Sequence, residues 1–147
     1  MRKRFNFNLQ KVLDYRTELE DQAQLALAKS RKKYQDQIAR VENLEKELAR
    51  AREEIAKKEN VTRDRIWLWN RYIEGLDAEL KLARLTLREI AREVSSRRQK
   101  LLERSKDKKV IEKLKINQKI KFKHEQQKAE QKEFDEMSVV RYKPETI

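Results

Sequence analysis

A catalytic chain needs a nucleophile, a general base or a metal, and few side chains here could supply one. The sole imidazole is His124, beside Glu125 on a highly charged stretch, with no second histidine and no cysteine to share a metal. That setting suits a solvated surface histidine rather than a ligand. One glycine, Gly75, cannot build a glycine-rich phosphate loop. Carboxylates and lysines are abundant but stand at helical spacing, as Glu42 with Lys46 and Glu54 with Lys58 do. Such i,i+4 pairs are exposed ion pairs, not acid–base dyads with separated pKa values. No catalytic, cofactor or metal site is expected, and the chain reads as a non-enzyme.

What remains is recognition. The run Ile66-Trp67-Leu68-Trp69-Asn70-Arg71-Tyr72-Ile73 concentrates two tryptophans and a tyrosine. Neighbouring residues on a helix point about 100° apart, so Trp67 and Leu68 cannot both join a stripe that holds Trp69 and Ile73. At least one large apolar side chain must face elsewhere, and exposed Trp, Tyr and Arg are the usual anchors of protein interfaces. Incidental packing around a turn is the rival explanation. A second candidate is Arg97 to Lys132, with fourteen Lys/Arg against five Asp/Glu, which holds most of the net charge of +12. It implies an acidic partner and salt-sensitive association. Nucleic acid is one option, yet no known motif is present and Phe122 is the one stacking aromatic. An acidic protein cavity and a merely solvated helix face are the others. An inserted membrane helix is disfavoured because the apolar face is sparse.

These residues must be positioned by helices. Hydrophobic content is 37% and charged content 44%, with one Gly and one Pro, a balance that suits a narrow seam rather than a broad core. Leu13, Leu27, Tyr34, Val41, Leu48 and Ile55 fall on one seven-residue grid, missed only at Glu20. Trp69, Ile73, Leu76, Leu80, Ala83, Leu87, Ile90 and Val94 alternate spacings of four and three. Both patterns keep one stripe facing a partner helix, as in a coiled coil. The fold expected is all-α: a long antiparallel two-helix coiled-coil hairpin, the second helix longer, in a single domain over 1–147. Helix one should cover about 9–57, the turn about 58–64 and helix two about 65–140, with a short C-terminal tail.

Details follow from that register. The second seam position of helix one, Ala23, Ser30, Gln37, Leu44, Ala51 and Lys58, is thin. Asn6 or Asn8 is expected to cap helix one, with Phe5 and Phe7 folding back or standing exposed for a partner. Asn60, Thr62 and Asp64 could cap helix two. Gly75 is a rival turn site, but it lies within the cleanest heptads and is kept helical. A reversal near residue 60 sets Phe5 opposite roughly residue 116, so everything after Asn117 overhangs without a partner from its own chain. Leu114, Phe122, Ala129 and Phe134 continue a deteriorating seam there, and Met137 to Pro144 regains apolar residues and ends the helix. Without Cys, without an apolar signal core after Met1-Arg2-Lys3-Arg4 and without a membrane-length apolar run, a soluble cytosolic chain is the simplest reading.

Three stretches resemble the flagellar FliJ family: Phe7-Asn8-Leu9-Gln10-Lys11-Val12-Leu13-Asp14-Tyr15-Arg16, the segment from Arg65 to Leu76, and Glu130-Gln131-Lys132-Glu133-Phe134-Asp135-Glu136 with Arg141. The resemblance implies a cytoplasmic, non-enzymatic stalk of the type III flagellar export apparatus, peripheral to the inner membrane and needed for flagellum biogenesis, motility and chemotaxis. It implies that the chain ends enter the hole of the hexameric export ATPase FliI and promote its assembly and activity. The residues concerned would be Phe5, Phe7, Leu9, Leu13, Arg16, Phe122, Phe134, Met137 and Arg141, with the basic excess facing an acidic ring lining. It also implies contact with the cytoplasmic domain of the export gate FlhA, through Trp67, Trp69, Tyr72 and Leu76, and handling of empty export chaperones. Membrane contact would be indirect and no specific nucleic acid is expected. A virulence-type secretion stalk, or a basic coiled coil binding nucleic acid or ribosomes, is the alternative.

Overall fold

The computed structural model describes residues 3–57, 59 and 62–142. They form two helices, α1 over Gln10–Lys57 and α2 over Arg63–Arg141. The two pack as an antiparallel hairpin whose second helix is the longer, and no strand occurs among the described residues. Gly75 is inside α2 and has no positive φ, so the rival turn does not form.

Helix ends follow elementary electrostatics. Asp64 lies in the first turn of α2 and Lys57 in the last turn of α1, each matching the sign favoured at that end of a helix dipole. The Thr62 carbonyl accepts from the Ile66 amide at 3.1 Å, which makes Thr62 the residue that opens α2. Asn60 and Lys58 lie outside the described residues. At the start of α1 the expected asparagine cap is replaced by backbone. The Gln10 amide donates to the Phe7 carbonyl at 3.1 Å, and neither Asn6 nor Asn8 makes a side-chain hydrogen bond among the described residues.

The chain divides into two compact units. One is Asp21–Glu103; the other joins the described parts of Met1–Glu20 and Arg104–Ile147. In the first, the heptad seam is apolar: Val41, Leu44, Leu48 and Ala51 of α1 bury against Leu76, Leu80 and Ala83 of α2, flanked by Trp69, Ile73 and Leu87. Thinner positions are satisfied locally. Ser30, 1% exposed, donates to the Ala26 carbonyl at 2.8 Å, and the Gln37 amide donates to the Ala83 carbonyl at 2.9 Å. Arg84 with Glu45 at 3.0 Å and Lys33 with Glu93 at 3.8 Å bridge the helices outside the seam. Both pairs are exposed and contribute at most about 1 kcal/mol each. The expected pair Glu42 with Lys46 does not form within 4.0 Å, although both side chains are exposed on α1.

Among the described residues of the second unit, burial is confined to Phe7, Leu13 and Ile111, with Phe5 packed against them. The register differs from that of a reversal at residue 60: Glu20 meets Lys108, Gln10 meets Lys115, and Phe5 meets Phe122 rather than residue 116. The same offset already holds between the helices, where Glu45 meets Arg84 and Lys33 meets Glu93, so it does not arise from the non-helical residues 3–9. Among the described residues, the part of α2 that no packed side chain of the N-terminal segment covers therefore starts after Phe122, not after Asn117.

Candidate interaction surfaces

Trp67 is 59% exposed and Leu68 equally so, so both side chains forced off the seam face solvent. Tyr72 is half exposed and meets Trp69 edge-on, ring centroids 5.9 Å apart. The Arg71 guanidinium stands 5.2 Å from the centre of the Trp67 ring, within cation–π range. Leu68, Trp69 and Tyr72 line a shallow groove. Leu76, grouped with them from sequence, is 6% exposed and belongs to the core beneath. It supports this surface rather than forming it.

The other expected contact residues separate into a packed set and an exposed set. Phe7 and Leu13 are buried, and Phe5 stacks at a tilt on Phe122 with centroids 5.6 Å apart. The two N-terminal phenylalanines thus fold back. Leu9 stays 36% exposed, and the Arg16 guanidinium donates to the Asp107 carbonyl at 2.8 Å. Beyond Phe122, α2 carries Phe134, Met137, Val139 and Val140 at exposures from 57% to 80%. Glu133, Glu136, Met137, Val140 and Arg141 line one groove of this stretch. A second groove, lined by Lys3, Phe122, Glu125, Ala129 and Glu133 among others, lies beside it.

Sequence reasoning missed a polar layer in the seam of this unit. Glu20, the one break in the apolar grid, accepts from Lys108 Nζ at 3.3 Å, and Glu112 lies 3.6 Å from the same nitrogen. The Lys108 and Glu20 side chains keep only 22% and 14% exposure. The hydrogen bond that Lys108 donates to Glu20 holds the Lys108 pKa above the ordinary lysine value, against the opposing cost of desolvation and with further help from both carboxylates. Lys115 adds a bond to the Gln10 side chain at 2.8 Å. The signal was available: a carboxylate on a heptad grid requires a cation on the facing helix.

His124 is exposed on α2, and among the described residues no group of three or more His, Asp or Glu is arranged to hold a metal. The arrangement is one of surfaces. The family model described as "Flagellar FliJ protein" matches residues 5–145, nearly the whole chain. The chain belongs to the FliJ family. It is accordingly a component of the flagellar type III export stalk, in a family of non-enzymatic export proteins. Neither the curated proteins nor the solved structures include a match. Among the described residues, no helix of this FliJ protein is long and apolar enough to cross a membrane.

Proposed function

We propose that this FliJ protein works on the cytoplasmic side of the export apparatus as a stalk that enters the hexameric export ATPase and promotes its assembly and activity. The observation that carries this reading is the stretch of α2 after Phe122, where Phe134, Met137 and Val140 are exposed with no partner helix among the described residues. A helix left apolar on its surface gains by burial in another protein. Phe134, Met137 and Arg141 make the ring contact; Phe5, Phe7, Leu13 and Phe122 hold the closed segment that presents them. Leu9 and Arg16 lie at the edge of that segment. The Trp67, Trp69 and Tyr72 surface, braced by Leu76, takes the export gate, and export chaperones are handled by the same protein.

The test is ATP hydrolysis by the cognate export ATPase at about 0.15 M salt, where surface electrostatics are screened within about 8 Å. Full-length protein is titrated in beside a version lacking residues 1–8 and everything after Phe122. Stimulation that saturates near one chain per hexamer, and disappears with the trimmed version, is expected. Absence of stimulation at any ratio would remove the ATPase from the account.

A further inference from the structure

Lys106, Lys109, Lys113, Ile116, Ile120 and Lys123 follow one another on α2 at spacings of three and four, and every one is exposed. The stripe is therefore a second continuous face, two positions displaced from Lys108, Ile111, Lys115 and Phe122, which meet α1 or the segment that leads into it. Two positions on a helix are more than half a turn, so this face points away from α1. Ile116 is 58% exposed, Ile120 61% and the adjoining Val110 64%.

The charge on this face is unusually uniform. The carboxylates between Arg104 and His124 are Asp107 and Glu112, each next to a seam position, and Glu112 is engaged with Lys108. Neither falls on the stripe. Among the described residues, none of Lys106, Lys109, Lys113 and Lys123 takes part in an ion pair. The lysines thus face solvent uncompensated, with two isoleucines among them.

We propose that this face of α2 adsorbs to an anionic lipid surface. Several features favour lipid over other acidic partners. All four cations are lysines, which are depleted from protein interfaces, where arginine is the preferred cation. Lysine stems can lie along an apolar boundary while the ammonium groups stay with headgroups, and Ile116 and Ile120 supply the shallow apolar contact between them. Clusters of four or more basic residues on one helix face are what anionic lipid attracts. Nucleic acid is served less well, because the stripe has no aromatic ring for stacking and its centre is aliphatic. The stripe runs along about 26 Å of helix, at 1.5 Å per residue, a line contact that suits a flat surface. Adsorption of this kind needs no insertion, so the sparse apolar content is no obstacle. It also uses a face that could not lie on lipid and inside an ATPase ring at once, so the lipid-bound form is the chain free of the ring.

The experiment uses the full chain alone, so its outcome is independent of the ATPase reading. Sedimentation is measured with phosphatidylcholine vesicles and with vesicles containing phosphatidylglycerol, at about 0.1 M salt. Binding to the anionic vesicles only is expected. Reversing Lys106, Lys109 and Lys113 to Glu should weaken it by roughly tenfold or more. Reversing Lys29, Lys32 and Lys46, exposed lysines of the other unit, gives the same net charge and should weaken it by less than about twofold if position matters. Ile116→Ser with Ile120→Ser should weaken it by roughly threefold with helix content by circular dichroism unchanged. No binding to anionic vesicles, equal loss in both lysine sets, or tighter binding of a short RNA duplex than of vesicles would each overturn the proposal.

Discussion

The same two helices are joined in two different ways. Within Asp21–Glu103 the helices meet chiefly through leucine, valine and alanine, and the polar seam residues Ser30 and Gln37 are each hydrogen-bonded to a backbone carbonyl. Within the unit that holds Phe7 and Ile111, the meeting surface is mostly Glu20, Lys108, Gln10, Lys115 and Arg16, around a small apolar cluster. An apolar seam draws its stability from area removed from water and tolerates sliding. Charged and hydrogen-bonded pairs contribute less net free energy but penalise a wrong register, because a slip leaves them unpaired. One unit is therefore built to hold together. The other is built to hold a defined alignment just before the helix that continues alone.

The comparison can be broken most forcefully in the apolar seam. Leu80 is 3% exposed, and Leu80→Ala should cost about 3 kcal/mol in denaturant unfolding, by lost transfer plus an unfilled cavity. Ile111→Ala, in the smaller cluster at 8% exposure, should cost about 2 kcal/mol, at the low end for such a change. Equal costs would mean that the two units do not differ in how much they rely on burial.

Replacing the polar layer sharpens the contrast from the other side. Glu20→Leu alone leaves Lys108 without its closest acceptor and should lower the midpoint of denaturant unfolding. Glu20→Leu with Lys108→Leu should instead raise that midpoint above the natural chain's, because it restores the heptad grid. The Lys108 pKa is raised in the folded chain. The contribution of the pair is thus fully present at neutral pH and is lost as pH climbs through the raised lysine value. The stability gap between the double variant and the natural chain should widen in alkali. The smallest expected effect is at Gly75, where an added Cβ meets nothing within 4 Å. Gly75→Ala should raise stability by up to about 1 kcal/mol, seen as a higher melting temperature.

Much of this architecture is legible in the sequence. Heptad spacing carries both the helical class and the apolar seam, since Val41, Leu48, Leu76 and Leu80 can share a stripe in no other common geometry. The geometric exclusion of Trp67 or Leu68 from the seam likewise anticipated the exposed aromatic surface. The start of α1 was harder to read. Whether Phe5 and Phe7 fold back depends on distant residues, Phe122 and Ile111, and the register offset shows only in pairs across the helices, such as Glu45 with Arg84. Glu20 was visible only as a defect in a pattern, because the cation that makes it a feature, Lys108, lies on the other helix. The heptads had already placed Leu76 on the seam, where it is buried, so grouping it with the exposed aromatic residues went against its own register.

We propose that the aromatic surface at the start of α2 and the exposed end of α2 serve different partners. Binding to the export gate and stimulation of the export ATPase should be measured side by side for Trp67→Ala with Tyr72→Ala, and for Phe134→Ser with Met137→Ser. The first variant should lose the gate and keep the ATPase, and the second should do the reverse. Equal loss of both activities in either variant would contradict it.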